Sequence, residues 1–466
     1  MNTLFISIIL LVIAFIFFFN ETFSSLVKKI ITNNTLPGPA PGPGPAPGPG
    51  PAPGPGPAPG PGPAPGPGPG PAPGPDPNTV IDLTWKKLGV DIDGEAAGDE
   101  SGYSVSLSSN GSIVAIGAIK NDGTGHVRMY KLRGLSWDQM GSDIDGEAAN
   151  DQFGHSVSLS SDGSIVAIGA PYNDGTESNT GHVRIYEWSG SAWVQKGLDI
   201  DGEAVGDQFG YSVSLSSDGS IVAIGAARNS YVRVFRWSGS AWVQKGLDIG
   251  PGTYGVWFGY SVSLSSDGSV VAIGALYNRG NDDNSGHVRI YEWSDSAWAQ
   301  KGLDIDGEAT GDRSGWSVSL SSDGSIVAIG APFNDGNGSF SGHVRIYKWS
   351  GSAWDQMGSD IDGEAEGDGT GTSVCLSFDG SIVAIGGAFN GGMGAYAGHV
   401  RIYKWSGSTW DQIGSDIDGE AANDQSGYSV SLSSDGSIVA IGANVNDGVN
   451  GIGSGHVRVY GRLASA

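Results

Sequence analysis

Residues 153–203 read FGHSVSLSSDGSIVAIGAP, then YNDGTESNT, then GHVRIYEWSGSAWVQKGLDIDGE. Close copies fill the chain from Trp85 to the C-terminus. The core Ser-Val-Ser-Leu-Ser, once Ser-Val-Cys-Leu-Ser, begins at Ser104, Ser156, Ser212, Ser261, Ser317, Ser373 and Ser429, at spacings of 52, 56, 49, 56, 56 and 56 residues. Seven self-similar units of this length signal a repeat architecture, which takes precedence over any local reading.

Each unit predicts four short strands. Ser156 to Ser160 alternates with period two. Asp162 and Gly163 form a two-residue hairpin turn of the kind that needs positive φ at both positions. Ile165 to Ala170 is apolar and rich in β-branched residues. Counting outward from the turn sets Leu159 opposite Val166 and Val157 opposite Ile168 on an aliphatic face. Ser158 then faces Ala167 and Ser156 faces Gly169 on a face of small residues, where close backbone packing is expected. His182 to Trp188 is strand three. After a Ser-Gly-Ser turn, strand four runs from Trp193 to about Ile200. The same counting pairs Trp188 with Trp193, Arg184 with Gly197 and His182 with Asp199, and a slip of one residue would reverse every face.

A four-stranded unit cannot bury its hydrophobic face alone, whereas radial stacking into a closed ring does so and leaves only short edges. The ends of the chain fit such a ring. Trp85-Lys-Lys-Leu-Gly-Val-Asp-Ile-Asp93 is a strand four without the preceding three, and Gly455 to Tyr460 is a strand three without a fourth. The expectation is an all-β, seven-bladed β-propeller over residues 80–466, closed by the N-terminal strand completing the last blade.

The preceding 79 residues divide in two. Residues 1–31 hold an apolar run, Leu4 to Phe19, extendable through Val27. It is read as a signal-anchor crossing the membrane through residues 4–27, with a cleaved secretory signal as the rival reading. Lys28 and Lys29 would favour a cytoplasmic C-terminal side, against the extracellular character of the repeat region. In residues 32–79, proline occupies every odd position from Pro37 to Pro77. A period of two excludes collagen. The stretch instead predicts an extended polyproline II linker, about 125 Å long if all 41 residues are fully drawn out.

The formal net charge is −25. That disfavours nucleic acid, which needs a basic footprint, and close contact of the propeller with anionic lipid. The single cysteine, Cys375, stands at a serine position of the repeat, so disulfides are not part of the design. Four Asn-x-Ser/Thr sequons support secretion only faintly.

Phe153 and Gly154 followed by Gly169, Ala170 and Pro171 resemble the FG-GAP repeat family. Phe209-Gly210 and Phe258-Gly259 match the first half of that signature, and Gly330, Ala331 and Pro332 the second. The resemblance spans about four-fifths of the chain. It implies a seven-bladed propeller like that of integrin alpha subunits, usually extracellular and used for adhesion or ligand binding. One departure is plain. The family's calcium loop between strands one and two is here only Ser-Asp-Gly-Ser, too tight to wrap a cation, so that site is absent.

Function is sought on the face that carries the connections between strands four and one and between strands two and three. Six copies of Asp-Ile-Asp-Gly-Glu line it. Their paired carboxylates are Asp91 and Asp93, Asp143 and Asp145, Asp199 and Asp201, Asp304 and Asp306, Asp360 and Asp362, and Asp416 and Asp418. Hard cations take several oxygens, so these pairs are candidate calcium or cationic-ligand sites. The competing reading is that they cap turns and pair with the histidine and arginine of strand three. The linker from Gly250 to Trp257 lacks the acidic motif. With Arg228 in a shortened loop it suggests a notch in which Tyr254, Trp257 and Arg228 contact a protein or glycan.

No unlike constellation of nucleophile, base and acid emerges from near-identical repeats. His155, the one histidine outside the repeat position, reads as packing, and the tryptophans as interblade contacts. The chain is therefore expected to be a stalk-displayed surface binding or adhesion module and not an enzyme. The alternatives are a structural coat protein without a small ligand and, at greater distance, a hydrolase.

Overall fold

The computed structural model describes residues 84–462 except 176, 252–255 and 278–283. The signal-anchor, the whole linker and Tyr254 lie outside the described residues. Among the described residues no helix is long and apolar enough to cross a membrane.

Seven antiparallel sheets follow one another. Blade 2 shows the pattern: Ser156–Leu159, Ile165–Ala170, His182–Trp188 and Trp193–Gln195, with Ile200–Asp201 returning to the third strand. The inner hairpin has the expected register, Val157 against Ile168 and Leu159 against Val166, but of the two turn residues only Gly163 has positive φ (+70°), Asp162 instead holding the turn through its side chain. Strand two is buried throughout in six of the seven blades, as a strand sandwiched between neighbouring blades must be.

The small face of the hairpin is where blades meet. A Cβ on Gly169 would lie 2.0 Å from the carbonyl oxygen of Gly210 in blade 3, and the same approach recurs in all seven blades. Serine does the joining. Ser156 Oγ donates to the Gly210 carbonyl at 2.9 Å, and Ser158 Oγ accepts from Leu215 N–H at 2.9 Å. Both bonds repeat from blade to blade and return to the start, where Ser429 Oγ reaches Gly102 and Leu107 N–H reaches Ser431 Oγ. At blade 6 Cys375 Sγ takes the place of the serine and accepts from Leu432 N–H at 3.2 Å. On the outside, the indole N–H of each strand-four tryptophan donates to the preceding blade, as Trp193 does to the Met140 carbonyl at 2.8 Å.

The ring closes as the chain ends require. Trp85, Lys86 and Lys87 pair with Arg462, Gly461 and Tyr460, and Ile92 and Asp93 with Val457 and His456. Trp85 donates its indole N–H to Ile413 in blade 6.

One register is corrected. Trp188 faces Trp193, but His182 faces Asp201 and not Asp199. Strand four breaks after Gln195. Gly197 turns with φ +89°, Leu198 is extruded into solvent, and pairing resumes two residues later. The same break precedes Asp145, Asp306, Asp362 and Asp418.

Candidate functional site

The acidic linkers and the loops between strands two and three do share a face, and part of their acidity is structural. The last aspartate of each linker is buried. Asp151 Oδ2 accepts from Ala148 N–H and from the Asn173 amide at 2.8 Å, so the Asn-Asp-Gly loop is tied to the linker beside it. Asp207, Asp312 and Asp368 make the equivalent bond to Asn229, Asn334 and Asn390.

The strand-three arginine takes two positions. Arg184, Arg233 and Arg289 fork onto the first aspartate of their own blade, Asp199, Asp248 and Asp304. Burial works to raise the Asp199 and Asp304 carboxyls, but the arginine hydrogen bonds outweigh it and hold both below their ordinary values. Arg128, Arg345, Arg401 and Arg458 instead donate to a backbone carbonyl of the preceding linker, at Asp93, Asp306, Asp362 and Asp418.

Where the arginine turns away, the first aspartate faces the histidine. Asp143 lies with His126 and Glu95, Asp360 with His343 and Glu308, and Asp416 with His399 and Glu364. Two further clusters are occupied by cationic side chains. Arg184 sits on both Asp199 and Glu147 beside His182, and Lys87 bonds Asp91 at 2.8 Å in the cluster with Glu420 and His456. Burial, then the neighbouring Arg128, lowers His126 to about 4, so its ring is neutral at physiological pH. The second members of the pairs, Asp93, Asp145, Asp201, Asp306, Asp362 and Asp418, belong to none of these clusters. Burial first, and the adjacent aspartate, raise the carboxyls of Asp93, Asp145, Asp306 and Asp362.

At the centre of this face the channel opens through a ring that sequence reading did not assemble. The residue after each strand-one glycine lines it: Tyr103, His155, Tyr211, Tyr260, Trp316, Thr372 and Tyr428. Neighbouring rings from Tyr428 round to Trp316 lie 4.5–5.1 Å apart, around a mouth of about 230 Å³. Tyr103 Oη and the Tyr211 carbonyl contact the two nitrogens of His155 at 3.3 and 3.1 Å. Thr372 breaks the ring and folds its hydroxyl back onto Gly369. The available signal was the residue after glycine, aromatic in six units of seven.

From the ring, aromatic contacts run outward over blades 4 and 5. Trp257 packs against Tyr211, Tyr260 and Tyr277, Trp316 against Phe333, and Phe333 against Phe340. The Arg313 guanidinium covers Phe333 at 4.4 Å. Two of the three expected notch residues lie among the described residues. Trp257 joins this arc, while Arg228 lies against Gly206.

Phe340 and Tyr396 stand out. Both are more than half exposed and both have positive φ, +57° and +58°. At the equivalent loop position blades 2 and 4 use Asn179 and Asn284, and blade 7 uses Gly453, residues suited to that conformation.

An FG-GAP repeat model matches residues 144–186 and 302–347, so the chain carries FG-GAP repeats there. No curated protein matches the sequence. Among solved structures, the fold is similar to hydrazine synthase from Kuenenia stuttgartiensis, with 13% identity, TM-score 0.53, and 84% of this chain and 100% of that one covered. It is also similar to the β-propeller domain of Cps50 (Swd1) from Myceliophteria thermophila, with 11% identity, TM-score 0.54, and coverage of 82% and 100%. These likenesses concern the fold alone.

Proposed function

We propose that this FG-GAP-repeat propeller is a surface binding module, held from a membrane by its N-terminal segment and proline-rich stalk. It engages a protein or glycan partner through the aromatic arc on its acidic face and has no catalytic role. The observation that carries this reading is the strained, exposed pair Phe340 and Tyr396. A side chain held in the left-handed region costs on the order of 1–2 kcal/mol, and an exposed aromatic gains little from burial in return. Such residues are retained for contact with something else. Phe340 is continuous with Trp257 and Trp316 at the channel mouth, while Tyr396 packs on Phe389 in the equivalent loop of the next blade.

Protein and glycan arrays probed with the full chain separate the two partner classes. Phe340→Asn and Tyr396→Asn then test the surface. Binding is expected to fall at least about tenfold while stability rises by about 1 kcal/mol, because asparagine accepts the local conformation. Undiminished binding in the double variant rejects the arc. Absence of any partner on either array favours a structural coat role.

A further inference from the structure

We infer that the Glu95–His126–Asp143 cluster of blade 1, and its counterparts in blades 5 and 6, each hold a divalent transition-metal ion, with zinc the best chemical fit. The inference is independent of the partner-binding reading.

In each cluster a histidine nitrogen and two carboxylate oxygens converge; in blade 1 the Asn121 amide also reaches Glu95 Oε2, at a long 3.4 Å. In blade 1, His126 Nδ1 lies 3.8 Å from Glu95 Oε2 and 3.8 Å from Asp143 Oδ2, outside hydrogen-bonding distance. The His126 side chain is only 1% exposed, and neither ring nitrogen has a hydrogen-bond partner. A buried polar group left unpaired in this way calls for a missing ion or water.

The atoms facing away from each cluster are already held. Glu95 Oε1 faces Arg128 at 3.6 Å, and Asp143 Oδ1 accepts from Gln139 at 2.6 Å, so each carboxylate turns its other oxygen inward. Blade 5 repeats this with Arg345 on Glu308 and Gln356 on Asp360, and blade 6 with Arg401 on Glu364 and Gln412 on Asp416. Outer partners that fix the orientation of ligand groups are the habit of metal sites.

Size and chemistry select the ion. Metal–ligand bonds of about 2.0–2.1 Å in a tetrahedron put ligand atoms about 3.4 Å apart. The His–carboxylate distances are 3.6–3.8 Å to both carboxylates in blades 1 and 5 and to Asp416 in blade 6, so a small inward movement suffices there. Imidazole nitrogen suits zinc, whereas calcium prefers six to eight oxygens. Three protein ligands leave a fourth position for water or a partner's group. The other blades explain the number three. Arg184 fills the blade 2 cluster, blade 3 has Tyr231 for histidine, blade 4 is preceded by a linker without the glutamate, and Lys87 occupies Asp91 in blade 7.

Full-length protein stripped with chelator and titrated with zinc chloride should take up three equivalents by equilibrium dialysis. Cobalt substituted at the sites should give the intense visible absorption of tetrahedral coordination. Combining His126→Gln, His343→Gln and His399→Gln should abolish both signals. Because buried imidazoles also pack, Gln139→Ala, Gln356→Ala and Gln412→Ala form a second set on exposed residues, expected to weaken affinity about 10–100-fold without loss of fold. Zinc uptake unchanged by both sets, or calcium binding as tightly as zinc without the cobalt spectrum, would overturn the inference.

Discussion

His155 shows how one residue sets a pH dependence. It is largely buried among Tyr103, Tyr172 and Tyr211 at the channel mouth, and burial lowers it to about 4 although its bond to the Tyr211 carbonyl works the other way. In the unfolded chain it titrates near 6.5. Between those values only the unfolded state holds the proton, so its contribution is complete above about pH 6.5 and is lost as pH falls toward 4. The deficit is about 1.4 kcal/mol per pH unit. Tyrosine is the usual residue here, so His155→Tyr should gain about 1.4 kcal/mol on wild type between pH 7.5 and 5.5 in urea unfolding. Parallel pH profiles would refute this. The turn aspartates run in the same direction for a different reason. Burial works to raise Asp162, but the Ser164 amide and the Ser164 and Ser160 hydroxyls bond its Oδ1 and hold it below the ordinary range. Stability from this turn is present above the unfolded value and lost as pH falls through the folded one. Asn110 makes the same bonds in blade 1. Asp162→Asn should therefore be nearly neutral in denaturant unfolding, and Asp162→Ala should cost about 1 kcal/mol.

At the level of elements, the inner hairpin and the closing strand were legible because each is fixed by a pattern local to one stretch. The Asp-Gly turn dictates which of Leu159 and Ser158 faces the next blade, and the orphan strands at Trp85 and Gly455 need each other. The second half of strand four was not legible. Its break at Gly197 depends on the neighbouring blade, where Trp237 and Trp242 crowd the glycine to within 3.0 Å of a Cβ position. The candidate site divides in the same way. The acidic motif is visible in the sequence, but the grouping of Glu95 with Asp143 joins residues from successive linkers, and the arginine that decides whether a cluster is open moves without any change in motif. The closing strand gives this scale its prediction. Removing residues up to 93 leaves His456–Arg462 as an unpaired edge and deprives blade 6 of the Trp85 indole bond. Exposed edges recruit further strands. The truncated chain should form dimers or larger species by light scattering, and a stable monomer would show that the ring does not depend on this strand.

For the ring as a whole, the question is whether its charge is balanced by its ion pairs. The chain carries 49 acidic and 24 basic residues, and carboxylates crowd one face. The guanidinium groups are nearly buried, 5–9% exposed at Arg128, Arg184, Arg233 and Arg458, so mobile salt screens their contacts weakly. The repulsions are more open to screening. Asp93, Asp145, Asp306 and Asp362 are raised by burial and by an adjacent aspartate, so each ionises at a cost in the folded state. A raised carboxyl adds stability at low pH that is lost as pH rises through its folded value, and at pH 7.5 that loss is complete. The screening length falls from about 30 Å at 0.01 M to about 10 Å at 0.1 M salt. Chelator-treated protein at pH 7.5 should therefore melt higher as sodium chloride rises over this range, in thermal unfolding followed by circular dichroism. Replacing Asp93, Asp145, Asp306 and Asp362 together by asparagine should raise the low-salt melting temperature and flatten the salt dependence. A melting temperature that falls with salt would mean that the arginine forks outweigh the repulsion, and that the acidic face is held together by its charges.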